Sequence, residues 1–204
     1  FEFSGTYYWW LLDDIALYSP NPNDLQLANP AYSEFGIVAS PIIFDDMMYN
    51  AYPQSMIPSF KFTGQGTNIG GNSQTQVRLF VDVKKNGMAT TYSSSSPAST
   101  LNGGQSTLFQ LSTLYTTAPE VAEYFIYYNL DQLQIDDNAV NNLDTFNYFI
   151  TPHTYSRDEY SLETVFTPQA IYAGQKIEVG NVFQARSSGL QFASIQAVLG
   201  EGTT

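Results

Sequence analysis

The sequence predicts an all-β fold, an antiparallel β-sandwich or jelly roll with an extended N-terminal arm and little helix. Three observations carry that prediction. Apolar residues recur at every second position in several segments, which is the period of strands with one buried face. Tyrosine and phenylalanine, 15 and 14 of the 204 residues, dominate the aromatics, and aromatic side chains favour pleated, half-buried positions. Glycine, proline, asparagine and aspartate recur between these segments, as tight loops joining short strands require. A hydrophobic content of 43% is globular, and 204 residues suffice for one sizeable core with an appended arm.

Residues 1–60 read as an aromatic, acidic, proline-punctuated arm or set of edge strands, and residues 61–204 as the sandwich. Tyr7, Tyr8, Trp9 and Trp10, continued by Leu11 and Leu12, form the most apolar stretch and hold both tryptophans. Such a stretch is either a strand or strap buried in the core, or a contact for another subunit or a sugar ring, because Trp and Tyr concentrate at interface hot spots. Those four aromatics are the candidate assembly or ligand contact. Pro20, Pro22, Pro30, Pro41, Pro53 and Pro58 keep the following segments short, and proline cannot donate to a central ladder.

The sandwich reads as follows. Residues 64–73, rich in Gly and Asn, form a loop; with a strand after them and no helix, they are no phosphate cradle. Val77, Leu79, Val81 and Val83 alternate with Gln76, Arg78 and Asp82, although Phe80 breaks the polar face. Asn86-Gly87 then closes a two-residue type I′ turn that sets Val83 opposite Thr90 and Val81 opposite Tyr92. Residues 93–105 are a serine- and glycine-rich exposed loop. Phe109, Leu111 and Tyr115 share a face in the next strand, and Thr117-Ala118-Pro119-Glu120 has the form of a capping box, predicting a helical turn. Tyr124, Ile126, Tyr128 and Leu130 line the following strand. The apolar parity then passes to Leu133 and Ile135, which places a bulge or break near Asp131-Gln132. Residues 136–144 form an acidic loop whose spacing does not fit a calcium-binding EF-hand. Phe146, Tyr148 and Ile150 line another strand; segments at 162–167, 171–172, 176–179 and 190–199 complete the sandwich.

No constellation announces a reaction. His153 is the only histidine, there is no cysteine and no Gly-x-Ser-x-Gly elbow, so neither a Ser-His site nor a zinc site of the usual kind is expected. Carboxylates such as Asp13, Asp45, Asp158 and Glu163 are many, but their spacing selects no pair for glycoside hydrolysis. The expectation is a non-enzymatic chain without cofactor or metal. A net charge of −12 with seven basic residues argues against direct contact with nucleic acid or an anionic membrane, and no apolar run reaches the length of a membrane span. The opening carries neither an initiator methionine nor a secretory leader, as in a processed or partial chain.

The closing segment, residues 169–179 with Ala173-Gly174-Gln175 at a turn, followed by the apolar strand 190–199, resembles the end of complement-globular-head and tumour-necrosis-factor-like jelly rolls. That resemblance implies a final strand at the centre of a trimer, although Gln175 stands where those families carry an acidic residue. The cysteine-free, acidic, Tyr/Asn/Ser/Thr-rich composition is similar to that of virion structural proteins of bacteriophages and aquatic viruses. It implies a capsid, decoration or fibre subunit located in the virion and partnered by copies of itself and other virion proteins. The alternative expectation is a carbohydrate-binding module or lectin-like adhesin, extracellular or on a cell surface, that holds a glycan receptor through exposed aromatics. The orientation of Trp9, Trp10 and the aromatics of 124–128 discriminates the two: exposed on a monomer they favour sugar, and buried between subunits they favour assembly.

Overall fold

In the computed structural model, which describes residues 21–33, 49–156 and 191, alternation along β4 (Gln74–Lys85) turns Val77, Leu79, Val81 and Val83 fully into the core. The strand reverses at Asn86 and Gly87, whose φ values of 50° and 71° lie in the left-handed region that these two residue types tolerate. Met88 N–H donates to the Lys85 carbonyl at 3.1 Å, but Lys85 pairs with Ala89, so the expected two-residue turn is a three-residue loop of Asn86, Gly87 and Met88. The register beyond it differs from expectation. In β5 (Ala89–Ser95), Thr90 pairs with Lys84 but Tyr92 pairs with Val83, so Thr91 is an extra, bulged residue and Val81 lies opposite Ser94. Thr91 gives its hydroxyl to the Val83 carbonyl at 3.2 Å, a local partner for a residue displaced from the ladder.

The serine-rich run is also strand rather than exposed loop. Ser93, Ser94 and Ser95 pair with Asp82, Val81 and Phe80, and β6 (Ser99–Leu101) continues in the same direction along the first part of β4. Ser96 joins them, its N–H donating to the Leu79 carbonyl at 2.9 Å and its Oγ accepting the Leu79 N–H at 3.0 Å. A buried serine hydroxyl here stands in for a ladder carbonyl, which hydrophobic periodicity does not register.

Two sheets result. One has six strands, in the order β2 (Ala51–Pro53), β10 (Leu143–Thr151), β9 (Ala122–Asp131), β4, β5, with β6 also on β4. The other has four, in the order β1 (Leu25–Ser33), β3 (Ser59–Asn68), β7 (Ser106–Gln110), with β8 (Tyr115–Thr116) also on β3. All pairs are antiparallel except β2 on β10. The fold is an all-β sandwich whose only helical elements, among the described residues, are 3-10 turns at Gln54–Met56 and Ala139–Asn142. β1 and β2, from the segment expected to supply an arm or edge strands, stand at the ends of these orders. β1 accommodates Pro30 by a bulge at Asn29, whose φ is 48°. The segments expected at 162–199, including the jelly-roll closure, lie outside the described residues, as do residues 1–20 and 34–48.

Gly64 and Gly66, read as part of a loop, sit inside β3 and face the core. A Cβ on Gly64 would lie 2.9 Å from Leu27 Cδ1, and one on Gly66 would lie 2.7 Å from Phe109 Cε2 and 2.9 Å from Leu130 Cδ2. The facing side chains fill the space that β3 leaves. Along the same strand Phe60 and Phe62 take the opposite part, reaching across to tyrosines of β9 and β10. Phe60 meets Tyr148 at 5.3 Å between ring centroids, and Tyr148 stacks on Tyr124 at 5.3 Å and 11°. The Tyr148 hydroxyl bonds Thr117 Oγ1 at 2.7 Å. That bond is why no helical turn forms at 117–120: the Thr hydroxyl is buried on Tyr148 while Glu120 pairs with Lys85, so neither caps a helix.

β9 ends at Asp131, where a bulge or break was expected, and Leu133 and Ile135 beyond it are exposed, so the change of parity marks the strand end. The acidic loop that follows is a clasp. Asp136 Oδ2 accepts the Leu25 N–H at 3.0 Å, the Gln132 amide at 3.1 Å and the Asn142 amide at 3.0 Å. Asp136 Oδ1 accepts the Asn138 N–H at 2.7 Å. Asp24, itself buried, accepts the amides of Asn21 at 2.7 Å and Asn141 at 3.0 Å. These bonds fasten the start of β1 to the β9–β10 connection.

Three outcomes follow from this packing. Gly66→Val overfills the gap facing Leu130 and Phe109 and lowers stability by about 2 kcal/mol in urea unfolding. Asp136→Ala orphans the clasp donors and costs about 3 kcal/mol, whereas Asp136→Asn retains an acceptor and costs about 1 kcal/mol. Burial pushes the Tyr32, Tyr128 and Tyr148 hydroxyls well above the usual tyrosine range. The unfolded chain releases those protons near pH 10 and the native chain keeps them, so stability is intact below about pH 10 and falls as pH rises beyond it. An absorbance titration of tyrosinate then shows these three ionising together with loss of the native circular dichroism.

Candidate functional site

Strand alternation that turns Tyr124, Ile126 and Tyr128 inward turns Phe125 and Tyr127 outward, onto the solvent face of the six-stranded sheet. The same logic on β4 puts Phe80, 39% exposed, on that face beside Asp82. Register brings them together: Asp82 lies opposite Tyr127, Phe80 opposite Asn129 and Arg78 opposite Asp131. Ser93 lies opposite Asp82 on the other side. Phe80 and Tyr127 are thus on one diagonal of a four-residue square and Asp82 and Asn129 on the other, with diagonal neighbours about 7–8 Å apart. Phe80, Asp82, Ser93, Tyr127, Asn129 and Asp131 line a shallow depression of about 250 Å³.

The Tyr127 ring is held in place. The Lys84 ammonium sits 4.9 Å from its centroid, and the Phe125 ring stacks beside it at 6.5 Å and 26°. Neither lines the depression, so both brace the ring from outside it. The arrangement offers two aromatic surfaces and four side chains, Asp82, Ser93, Asn129 and Asp131, that accept or donate hydrogen bonds. Among the described residues no three His, Asp or Glu side chains gather as a metal-holding group, and no helix is long and apolar enough to cross a membrane. A second depression, between the β1 bulge and β7, is lined by Asn29, Pro30, Ala31, Gln65 and Leu108 among others, without an aromatic or charged group.

The candidate contact residues Tyr7, Tyr8, Trp9 and Trp10 lie outside the described residues, as do Asp13, Asp45, Asp158 and Glu163. His153 is exposed just after β10. Of the residues of the depression, Tyr127 falls within the 124–128 aromatics singled out in the sequence, and the others were absent from its candidates. Their signal was nevertheless present in Phe80 interrupting the polar face of β4, and in Phe125 and Tyr127 interleaved with the inward residues of β9. What periodicity lacks is the β4–β9 register that sets these side chains side by side.

No protein-family model matches the chain, and no curated protein matches it. Among solved structures it is similar to a CARDB domain from Pyrococcus furiosus, solved in complex with di-metal ions, at a TM-score of 0.44 and 12% identity, covering 69% of this chain and 98% of that one. It is also similar to a domain of a protein described as a cell surface protein from Methanosarcina acetivorans, at a TM-score of 0.36 and 16% identity, covering 67% and 96%. A Bacillus subtilis protein described as a lipoprotein gives a TM-score of 0.33 and 12% identity, covering 65% of this chain and 38% of that one. At these TM-scores none of them assigns the chain an activity or a ligand.

Proposed function

We propose that this chain is a non-enzymatic, glycan-binding β-sandwich module, displayed outside a cell or on its surface. The observation that supports the reading is the square of Phe80, Tyr127, Asp82 and Asn129 on the outer face of the six-stranded sheet. A pyranose has an apolar face of C–H groups and an equatorial rim of hydroxyls. Aromatic rings accept the first, and carboxylates and amides pair with adjacent hydroxyls, so alternating rings and polar groups suit a sugar better than either kind alone. An open depression on a rigid sheet suits one or two residues of a longer glycan. The net charge of −12 and the acidic lining favour neutral or amino sugars over sulfated or uronate-rich chains.

The other expectation, a virion structural subunit, would bury such a face between copies in the assembled form. A glycan array probed with the whole chain, alongside light scattering of the same sample, separates the two. Retention of a defined set of glycans by a monomer supports the module, and Tyr127→Ala then weakens binding about tenfold, roughly 1.4 kcal/mol, with little change in melting temperature. An assembly that retains no glycan, and that Tyr127→Ala breaks apart, reverses the reading in favour of a structural subunit.

A further inference from the structure

The outer face of the six-stranded sheet carries a second square made like the first. On β9, alternation puts Glu123 and Phe125 on the same outward face as Tyr127 and Asn129. On β10, Tyr148 and Ile150 are buried, so Asn147 and Phe149 face out, and Phe149 is 38% exposed. Register sets Asn147 opposite Phe125 and Phe149 opposite Glu123. Phe125 and Phe149 thus take one diagonal, and Glu123 and Asn147 the other. The polar diagonal is already joined, because the Asn147 amide donates to Glu123 Oε1 at 2.8 Å and so fixes both groups in place. The first square has the same make, with Phe80 and Tyr127 crossing Asp82 and Asn129. A half-turn about the midpoint between Phe125 and Tyr127 carries the register positions of one square onto the other, rings onto rings and polar groups onto polar groups.

We propose that this second square is a further sugar subsite, and that one straight chain of equatorially linked pyranoses, of the cellulose or chitin type, lies across both. The inference rests on the sugar reading of the first square. Phe149, Phe125, Tyr127 and Phe80 form a diagonal line over β10, β9 and β4, with the Phe125 and Tyr127 rings stacked at 6.5 Å in its middle. At about 3.4 Å per residue, the stretch of β9 from Glu123 to Asn129 makes this line roughly 20 Å long. An equatorially linked chain is a ribbon with C–H groups on its flat faces and hydroxyls along both edges. The stripe complements it in both respects: rings run down the middle, Glu123, Lys84 and Asp82 stand along one side, and Asn147, Thr145 and Asn129 along the other. An axially linked chain coils and leaves such a line. A protein partner suits the face less well, because the core of a protein interface is depleted in charge. Here Glu123 lies opposite Phe149, Lys84 opposite Phe125 and Asp82 opposite Tyr127. Both squares stand on one rigid ladder, so a chain held at the first reaches the second as an intramolecular step, and two modest contacts combine.

The test is calorimetric titration of the whole chain with dimers and hexamers of the cellulose and chitin types, with amylose-type oligomers of the same lengths as the coiled control. A hexamer of one of the equatorial series should bind more than about tenfold tighter than its dimer, with no such gain in the amylose series. Phe149→Ala and, separately, Asn147→Ala change exposed positions and should leave the circular dichroism unaltered. Each should lower hexamer affinity about tenfold while the dimer still binds at the first square. If dimer and hexamer bind alike and neither substitution matters, the second subsite is overturned and the sugar site at the first square stands. An equal gain in the amylose series overturns the ribbon. Binding of none of these oligomers overturns the proposal too, and the glycan array then shows whether the module reading falls with it. A wild-type dimer in light scattering that Phe149→Ala dissolves gives the face to a second copy instead.

Discussion

The inward face of β3 sets how the two sheets meet. Its alternate residues, Phe60, Phe62, Gly64 and Gly66, run from the largest apolar side chains to none. The opposing surface is the complement: tyrosines of β9 and β10 with Phe60 at one end, then Leu79 and Leu130 moving into the space over the glycines. Because interiors are packed to near-crystalline density, neither half can be changed without a cavity or a clash. The partners of β3 in its own sheet, and the β4–β9 pair facing it, are held in position by that fit.

That fit also determines what is left outside. Once Tyr124, Ile126 and Tyr128 are committed to the core, the intervening Phe125 and Tyr127 have no choice but the solvent face, and the register of β4 on β9 decides which groups they meet there. The proposed sugar surface is the reverse side of the core pattern. Its rigidity comes from the same ladder, so little ordering entropy remains to be lost when a ligand binds.

At one end of the sandwich the organising chemistry is polar. Asp24 and Asp136 gather amide and backbone donors from residues separated by more than a hundred positions, with Leu25 N–H bonded to Asp136 across 111 residues and Asn141 to Asp24 across 117. A carboxylate that accepts several such bonds satisfies donors that a strand start and a loop would otherwise leave unpaired. The apolar side chains on the outside of the same connection are the consequence of that commitment.

Alternation in β4, β9 and β10 determined which residues are buried, since a period of two leaves little freedom once one face is apolar, and Asn86-Gly87 determined the turn by its tolerance of positive φ. The all-β class was legible from the same signals. Three features were not, each for a reason outside local pattern. Gly64 and Gly66 looked like loop because their role as strand residues depends on side chains of other strands that fill their space. The serines at 93–96 looked like loop because a hydroxyl completing a ladder has no hydrophobic signature. Thr117 and Glu120 looked like a cap because their true partners, Tyr148 and Lys85, lie 31 and 35 residues away. The candidate site needed tertiary structure for the same reason: the sequence supplied its aromatics and carboxylates, and only the pairing of β4 with β9 put them in one square.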